Sequence, residues 1–150
     1  MGSDLFVIGL SWRTAPVALR EQLAFPDSDL PEALGELVSS AHIDEALVVS
    51  TCNRVEVYGA TPRDPGRSSL DAATAAVRSY LSRTHGISAE TLSECLYEYG
   101  ESEAVEHMFR VASALDSLVL GEAQVLGQLK SAYGVATEVG ATGPILGRCM

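Results

Sequence analysis

The apolar positions of this chain fall into runs of two kinds. Leu5–Leu10 (LFVIGL) is an uninterrupted apolar run of strand length, which predicts a buried strand. It passes into the polar stretch Ser11-Trp12-Arg13-Thr14 and then Ala15-Pro16, a strand–loop–helix pattern in which proline suits the first helical turn. Val17, Leu19, Leu23 and Phe25 supply the apolar side of a short helix ending near Pro26. Asp27 and Ser28 are placed to cap a second helix carrying Leu30, Leu34, Leu37 and Val38 at helical spacing. Ala46–Val49 reads as a second buried strand, and Val55–Tyr58 alternates like a half-buried one. The short polar turn Ser50–Arg54 lies between them.

Beyond this pair of strands, Thr61–Ser69 (TPRDPGRSS) is a Pro/Gly-rich loop, and Leu70–Thr84 an alanine-rich helix. Leu92–Tyr99 reads as a further strand, and the remainder of the chain has helical periodicity. The expected class is α+β: a small, mostly antiparallel sheet flanked by helices, with a helical C-terminal third. The chain is expected to form one domain over 1–150, with two subdomains (about 1–100 and 101–150) as a further option.

Composition narrows the function. The chain has 150 residues, 47% of them hydrophobic and 20% charged, and its mean hydropathy is +0.15, as in an ordinary soluble domain. No apolar run approaches the roughly 20 residues of a membrane helix, and no hydrophobic leader follows Met1, so a cytoplasmic setting is expected. A formal charge of -10, with Lys130 and nine arginines as the only fixed cations, argues against broad coating of a nucleic-acid backbone. Any RNA contact should be local. Cys52, Cys95 and Cys149 form no C-x-x-C pair, which argues against a disulfide framework and a thiolate zinc site. No G-x-G-x-x-G or P-loop pattern is present, and Gly59, Gly66, Gly86 and Gly100 are isolated glycines at expected turns. A redox cofactor, if used, must bind elsewhere.

Two segments can carry chemistry. Cys52 sits in the Ser50–Arg54 turn, where a rigid scaffold can present a thiol. The thiolate is the nucleophilic form, and a nearby cation such as Arg54 favours it. The two side chains would share a face if the following strand began that early, and the Ser50 and Thr51 hydroxyls could bond a substrate. The residues by themselves favour a buried, inert cysteine beside a surface arginine, since free Cys commonly fills cores. In the helical third, Val105, Met108, Phe109 and Ala112 gather on one stripe, with His107 opposite. That histidine is either solvated, the commoner case, or turned into a cleft, and Ser117 falls on the same polar side. Glu122 lands inside the apolar stripe of Leu118, Val125, Leu129, Ala132, Tyr133 and Ala136. Either it is buried with a partner, or Gly121 breaks the helix and Glu122 opens a new first turn.

Three segments in order resemble the glutamyl-tRNA reductase family. They are Val7–Leu10 with Arg13–Val17 and Leu19-Arg20-Glu21; Ser50–Tyr58 (STCNRVEVY), which looks like that family's catalytic-cysteine motif; and His107–Ser117 (HMFRVASALDS) continued by LVLGEAQVLGQLKSAY. Trp12 departs from the pattern, standing where the family usually carries histidine. The resemblance implies that Cys52 attacks the ester of glutamyl-tRNA to give a thioester, with His107 assisting proton transfer. It implies Arg54 as partner of the substrate α-carboxylate, and Thr51, Ser117, Glu122 and Gln124 as further substrate-binding residues. It also implies NADPH, bound by a domain outside this chain, reducing the thioester to glutamate-1-semialdehyde for tetrapyrrole synthesis. No metal is required. Expected partners are the aminoacylated tRNA end and the next enzyme of the pathway, an aminomutase, with a homodimer as the full-length form. The family's nucleotide and dimerisation domains are missing here, so an excised domain or a truncated relative is expected. Competing readings are a non-catalytic module that binds glutamyl-tRNA or a partner protein, and an unrelated acyl hydrolase using Cys52 with His107 or His85.

Overall fold

The computed structural model describes residues 5–62, 70–113 and 124–150. Four strands form one antiparallel sheet in the order β2-β3-β1-β4: β1 Leu5–Ser11, β2 Glu45–Ser50, β3 Arg54–Ala60 and β4 Tyr97–Gly100. Between β1 and β2 run α1 (Val17–Leu23), a 3-10 turn at Asp27–Asp29 and α2 (Leu30–Ser39); between β3 and β4 run α3 (Leu70–His85) and α4 (Ala89–Cys95). This β-α-β-β-α-β order, with β1 and β3 central, is the ferredoxin-like arrangement. It is followed by α5 (Ser102–Ala112), α6 (Gln124–Glu138) and α7 (Pro144–Cys149). The α+β class read from the sequence is the one observed.

The sheet is covered on both faces, which explains why its central strands are buried at every position, polar residues included. Glu98 and Tyr97 are neighbours on β4 and point to opposite sides. Glu98 pairs with Arg78 of α3, whereas Tyr97 reaches Glu56 beneath α5. Helices α5, α6 and α7 thus close the face that α3 leaves open, and Leu129, Ala132, Ala136 and Leu146 join the strand residues in one hydrophobic core. β3 is buried at all seven positions, so Val55–Tyr58 is not half-buried as its alternation predicts.

Three further expectations are corrected. Leu92–Tyr99 is not one strand: Ser88 caps α4 by accepting the Thr91 N–H, the helix runs to Cys95, and only Tyr97–Gly100 pairs with β1. Asp27 and Ser28 do not cap α2 but form the 3-10 turn before it. Of the described glycines expected at turns, Gly59 and Gly100 lie in strands, and Gly86 ends α3. Gly86 has φ +65°, the left-handed geometry glycine tolerates best, and lets the Ile87 N–H return to the Ser82 carbonyl.

Candidate functional site

Cys52 is exposed at the tip of the β2–β3 hairpin. Thr51 organises the turn from within: its hydroxyl accepts the N–H groups of Asn53 (3.1 Å) and Arg54 (3.2 Å), and its own N–H donates to the Arg54 carbonyl (2.8 Å). From outside, the Trp12 N–H donates to the Asn53 carbonyl (2.8 Å), and Arg20 Nη1 donates to the Cys52 carbonyl (3.1 Å). Ser50 anchors the base by accepting the Phe25 N–H (3.0 Å). The turn is therefore fixed from three places: the loop after β1, α1, and the loop after α1. The contact from position 12 is made by its main chain, so this support does not depend on which side chain stands there.

Arg54 does not share a face with Cys52, because β3 starts at Arg54 itself. Its side chain turns inward, 2% exposed, and Nη1 lies 3.4 Å from Glu56 Oε2. Glu56 is wholly buried yet surrounded by polar partners: Arg54, the Tyr58 hydroxyl (2.8 Å), the Tyr97 hydroxyl (2.5 Å) and His107 Nε2. Burial pushes its carboxyl pKa up, but the hydrogen bond and charge of His107, the charge of Arg54 and the Tyr97 hydroxyl outweigh it. The net shift is downward, favouring the ionised form. Burial first, and then the same anion, hold the Tyr58 phenol well above its usual range.

Gly9 makes this arrangement possible. In register, Gly9 stands between Glu56 on β3 and Tyr97 on β4. A Cβ at Gly9 would lie 2.4 Å from the Val55 carbonyl oxygen and 2.8 Å from both Cα and Cγ of Glu56. The bare position lets the carboxylate lie across β1 to its partners on β4 and α5.

The position of His107 corrects the helical-wheel expectation. It is on the buried face of α5, 8% exposed, together with Ala104, Met108 and Val111, while Phe109 is turned outward at 55%. The cause is that the sheet beneath α5 presents a carboxylate, which an imidazole can pair with and a phenyl ring cannot. Glu56 engages Nε2, so Nδ1 is the ring nitrogen left for other partners, and the ring lines an open cleft of about 410 Å³ with Ser11, Arg13, Tyr97, Tyr99 and Arg110. The Tyr99 and Tyr97 rings lie 5.0 and 5.3 Å from it between centroids. His85, the other histidine weighed with Cys52, packs edge-on against Phe25 at the end of α3, beside a separate cleft. Ser117 and Glu122 lie outside the described residues; Gln124 begins α6, and its side chain lies outside them too.

Glu56, Gly9 and Tyr97 were missed in the sequence. Nothing in V-E-V-Y separates Glu56 from a solvated glutamate; the only available signal was a charge in a strand that proves central. Among the described residues no cluster of His, Cys, Asp and Glu could hold a metal ion, and no helix is long and apolar enough to cross a membrane.

A ferredoxin-like α+β domain that presents one exposed cysteine on a pinned hairpin tip and, in the sheet behind that hairpin's second strand, a buried Glu–His pair is the class that fold and site define. The profile of the glutamyl-tRNA(Glu) reductase N-terminal domain family matches residues 8–150, and the chain belongs to that family. It is 46% identical over 145 residues to a glutamyl-tRNA reductase of Pelobacter propionicus, covering 97% of this chain and 32% of that protein. It is 47% identical over the same length to one of Geotalea uraniireducens, with the same coverage of both chains. Among solved structures, the glutamyl-tRNA reductase from Methanopyrus kandleri superposes with a TM-score of 0.71 at 29% identity, over 97% of this chain and 31% of that one. The chain thus spans about a third of the length of these relatives.

Proposed function

We propose that this chain is the glutamyl-capturing domain of a glutamyl-tRNA reductase, with Cys52 as nucleophile. The observation that carries the reading is the fixed, exposed hairpin tip bearing Cys52 in a chain of this family. The thiolate attacks the carbonyl carbon of the ester joining glutamate to the terminal ribose. A C–S bond forms, the C–O bond breaks, and the ribose oxygen takes up a proton as tRNA departs. His107 supplies that proton from the ring nitrogen opposite the one Glu56 holds, an orientation of the kind that a carboxylate imposes on catalytic imidazoles.

Arg54 is assigned to the substrate α-carboxylate, with its guanidinium oriented by Glu56. Thr51, Ser117, Glu122 and Gln124 complete recognition of the glutamyl group, Thr51 through the hydroxyl hydrogen that remains after its oxygen accepts two N–H groups. The substrate end is aminoacylated RNA, the setting cytoplasmic, and the full-length partners a second subunit and the aminomutase that consumes the aldehyde. The family's reduction uses NADPH as hydride source. The sequence offers no glycine-rich strand–helix turn to cradle a dinucleotide, so the residues present do not fit that cofactor. The reading for this chain ends at the thioester.

The test is capture of a radiolabelled glutamyl group from glutamyl-tRNA, located by peptide mass spectrometry. Label on the Cys52 peptide, lost in Cys52→Ser and kept in Cys95→Ser and Cys149→Ser, supports the reading, and label retained by Cys52→Ser overturns it. Adding NADPH should yield no semialdehyde from this chain alone; its appearance would refute placing the hydride chemistry elsewhere.

A further inference from the structure

Arg20 stands apart from the residues assigned above. It projects from α1, is 9% exposed, and gives Nη1 to the Cys52 carbonyl at 3.1 Å, while its Nε is buried with no hydrogen-bond partner among the described residues. Among the described residues its one bond is to a neutral carbonyl, a poor return for taking a cation out of water, and the Nε without a partner there adds to the cost. Stability therefore does not explain an arginine at this position. What it touches offers a better explanation. Among the described residues, Arg20 is the side chain that hydrogen-bonds the main chain of Cys52 itself; the other bonds hold the flanking residues Thr51, Asn53 and Arg54.

We infer that Arg20 is a positioning residue for the Cys52 nucleophile: by fixing the Cys52 carbonyl it sets the backbone rotation from which the thiol leaves the hairpin tip, and so aims sulfur at the acyl carbon. This rests on Cys52 being the nucleophile, as proposed above. The main-chain anchors fix where the turn lies, and Arg20 fixes how its central peptide is turned. An oriented acyl transfer is sensitive to this angle, because displacement of a reacting atom by about 1 Å can cost roughly a hundredfold in rate. Reaction with a small diffusing electrophile is not sensitive to it.

The test compares Arg20→Met, which keeps bulk and removes the donors, with Arg20→Lys, which keeps one charged donor. Each variant is assayed for thermal midpoint, iodoacetamide alkylation of Cys52, dissociation constant for glutamyl-tRNA, and single-turnover glutamyl capture at saturation. For Arg20→Met the midpoint is expected to hold, alkylation and binding to stay within about twofold, and capture to fall about ten- to a hundredfold; Arg20→Lys should recover part of the loss. Unchanged capture by folded Arg20→Met overturns the inference. So does a tRNA affinity loss that accounts for the whole effect, which would make Arg20 a substrate anchor, or alkylation falling in step with capture, which would place its effect on the thiol's own reactivity. If Arg20→Met does not fold, Arg20→Lys decides: reduced capture at unchanged affinity and unchanged alkylation supports the inference, and capture equal to wild type, or loss of folding there as well, overturns it. Absence of capture by the unmodified chain would instead sink the Cys52 reading, so the two failures are distinguishable.

Discussion

The Glu56 carboxylate on β3 meets Nε2 of His107 on α5 across the gap left by Gly9, joining the centre of the sheet to the helix that covers it. Glu56 is fully buried, so its charge persists only because four polar groups surround it. The same contact selects the ring nitrogen that His107 offers to the cleft. Structure and proposed chemistry are thus coupled at one carboxylate.

Replacing Glu56 by Gln keeps the shape and removes the charge. General acid–base assistance is worth roughly a hundred- to ten-thousandfold, and an imidazole no longer held by an anion should lose much of it. Single-turnover glutamyl capture by Glu56→Gln is expected to fall at least about tenfold, part of the roughly hundredfold at the low end of that range, with Cys52 alkylation by iodoacetamide little changed. Capture at the wild-type rate would detach His107 from the chemistry. The harsher Glu56→Ala leaves a cavity lined by polar groups and should cost about 3–5 kcal/mol, lowering the thermal midpoint by roughly 10 °C for a chain of this size.

Glu56 also sets a pH dependence of stability. Its folded pKa lies below the ordinary value of 4.5, because His107, Arg54 and Tyr97 together outweigh the upward push of burial. A carboxyl depressed on folding stabilises the protein fully above the unfolded value, and that contribution is lost as pH falls through the lower folded value. The stability gap between wild type and Glu56→Gln should therefore be largest near neutrality and shrink below about pH 4.5, which urea unfolding between about pH 7 and about pH 3 would reveal. A gap constant with pH would mean that the pair stabilises through shape alone.

Gly9→Ala tests the gap itself. The added methyl would lie well inside contact distance of the Val55 carbonyl and of Glu56, two of the three nearest atoms being backbone. Overpacking of this kind costs roughly 1–3 kcal/mol, and here it should also push the carboxylate away from Tyr97 and His107. Reduced stability together with reduced capture is expected. Loss of stability with capture intact would show that Glu56 need not cross β1 at that point.

Strands β1 and β2 and the cysteine turn were legible in the sequence because they depend on local pattern. LFVIGL and ALVV are apolar runs of strand length, and STCNR is the short polar break between paired strands. The interior of the site was not legible. Glu56 and His107 are fifty-one positions apart, and each looks solvated within its own element: one alternates in a strand, and the other lies off an apolar stripe. They become interior only when α5 is laid on β1 and β4, a tertiary fact that neither the period-2 nor the period-3.6 pattern contains. Leu92–Tyr99 failed for the opposite reason, since the local Ser88 cap outweighed the strand-like residues that follow it.

A second buried carboxylate gives a prediction about the other thiols. Glu45, on edge strand β2, accepts the N–H groups of Gly143 (2.8 Å), Ile145 (3.1 Å) and Leu146 (2.9 Å), and so caps α7 from about a hundred residues away in sequence. Pro144 has no N–H to offer, and Gly143 has no side chain to block the carboxylate, so the first turn of α7 is satisfied by this one group. At the other end of that helix, burial and then the Glu45 charge push the Cys149 thiol pKa up. Glu45→Ala removes the cap and the charge together. Cys149 alkylation at neutral pH should rise several-fold, stability should fall by about 1–3 kcal/mol, and Cys52 alkylation should stay the same, since the bonds that hold its turn come from Trp12, Arg20, Phe25 and the turn itself. A matching rise at Cys52 would mean that the whole sheet end loosens, and that the hairpin tip is less independently fixed than its own hydrogen bonds imply.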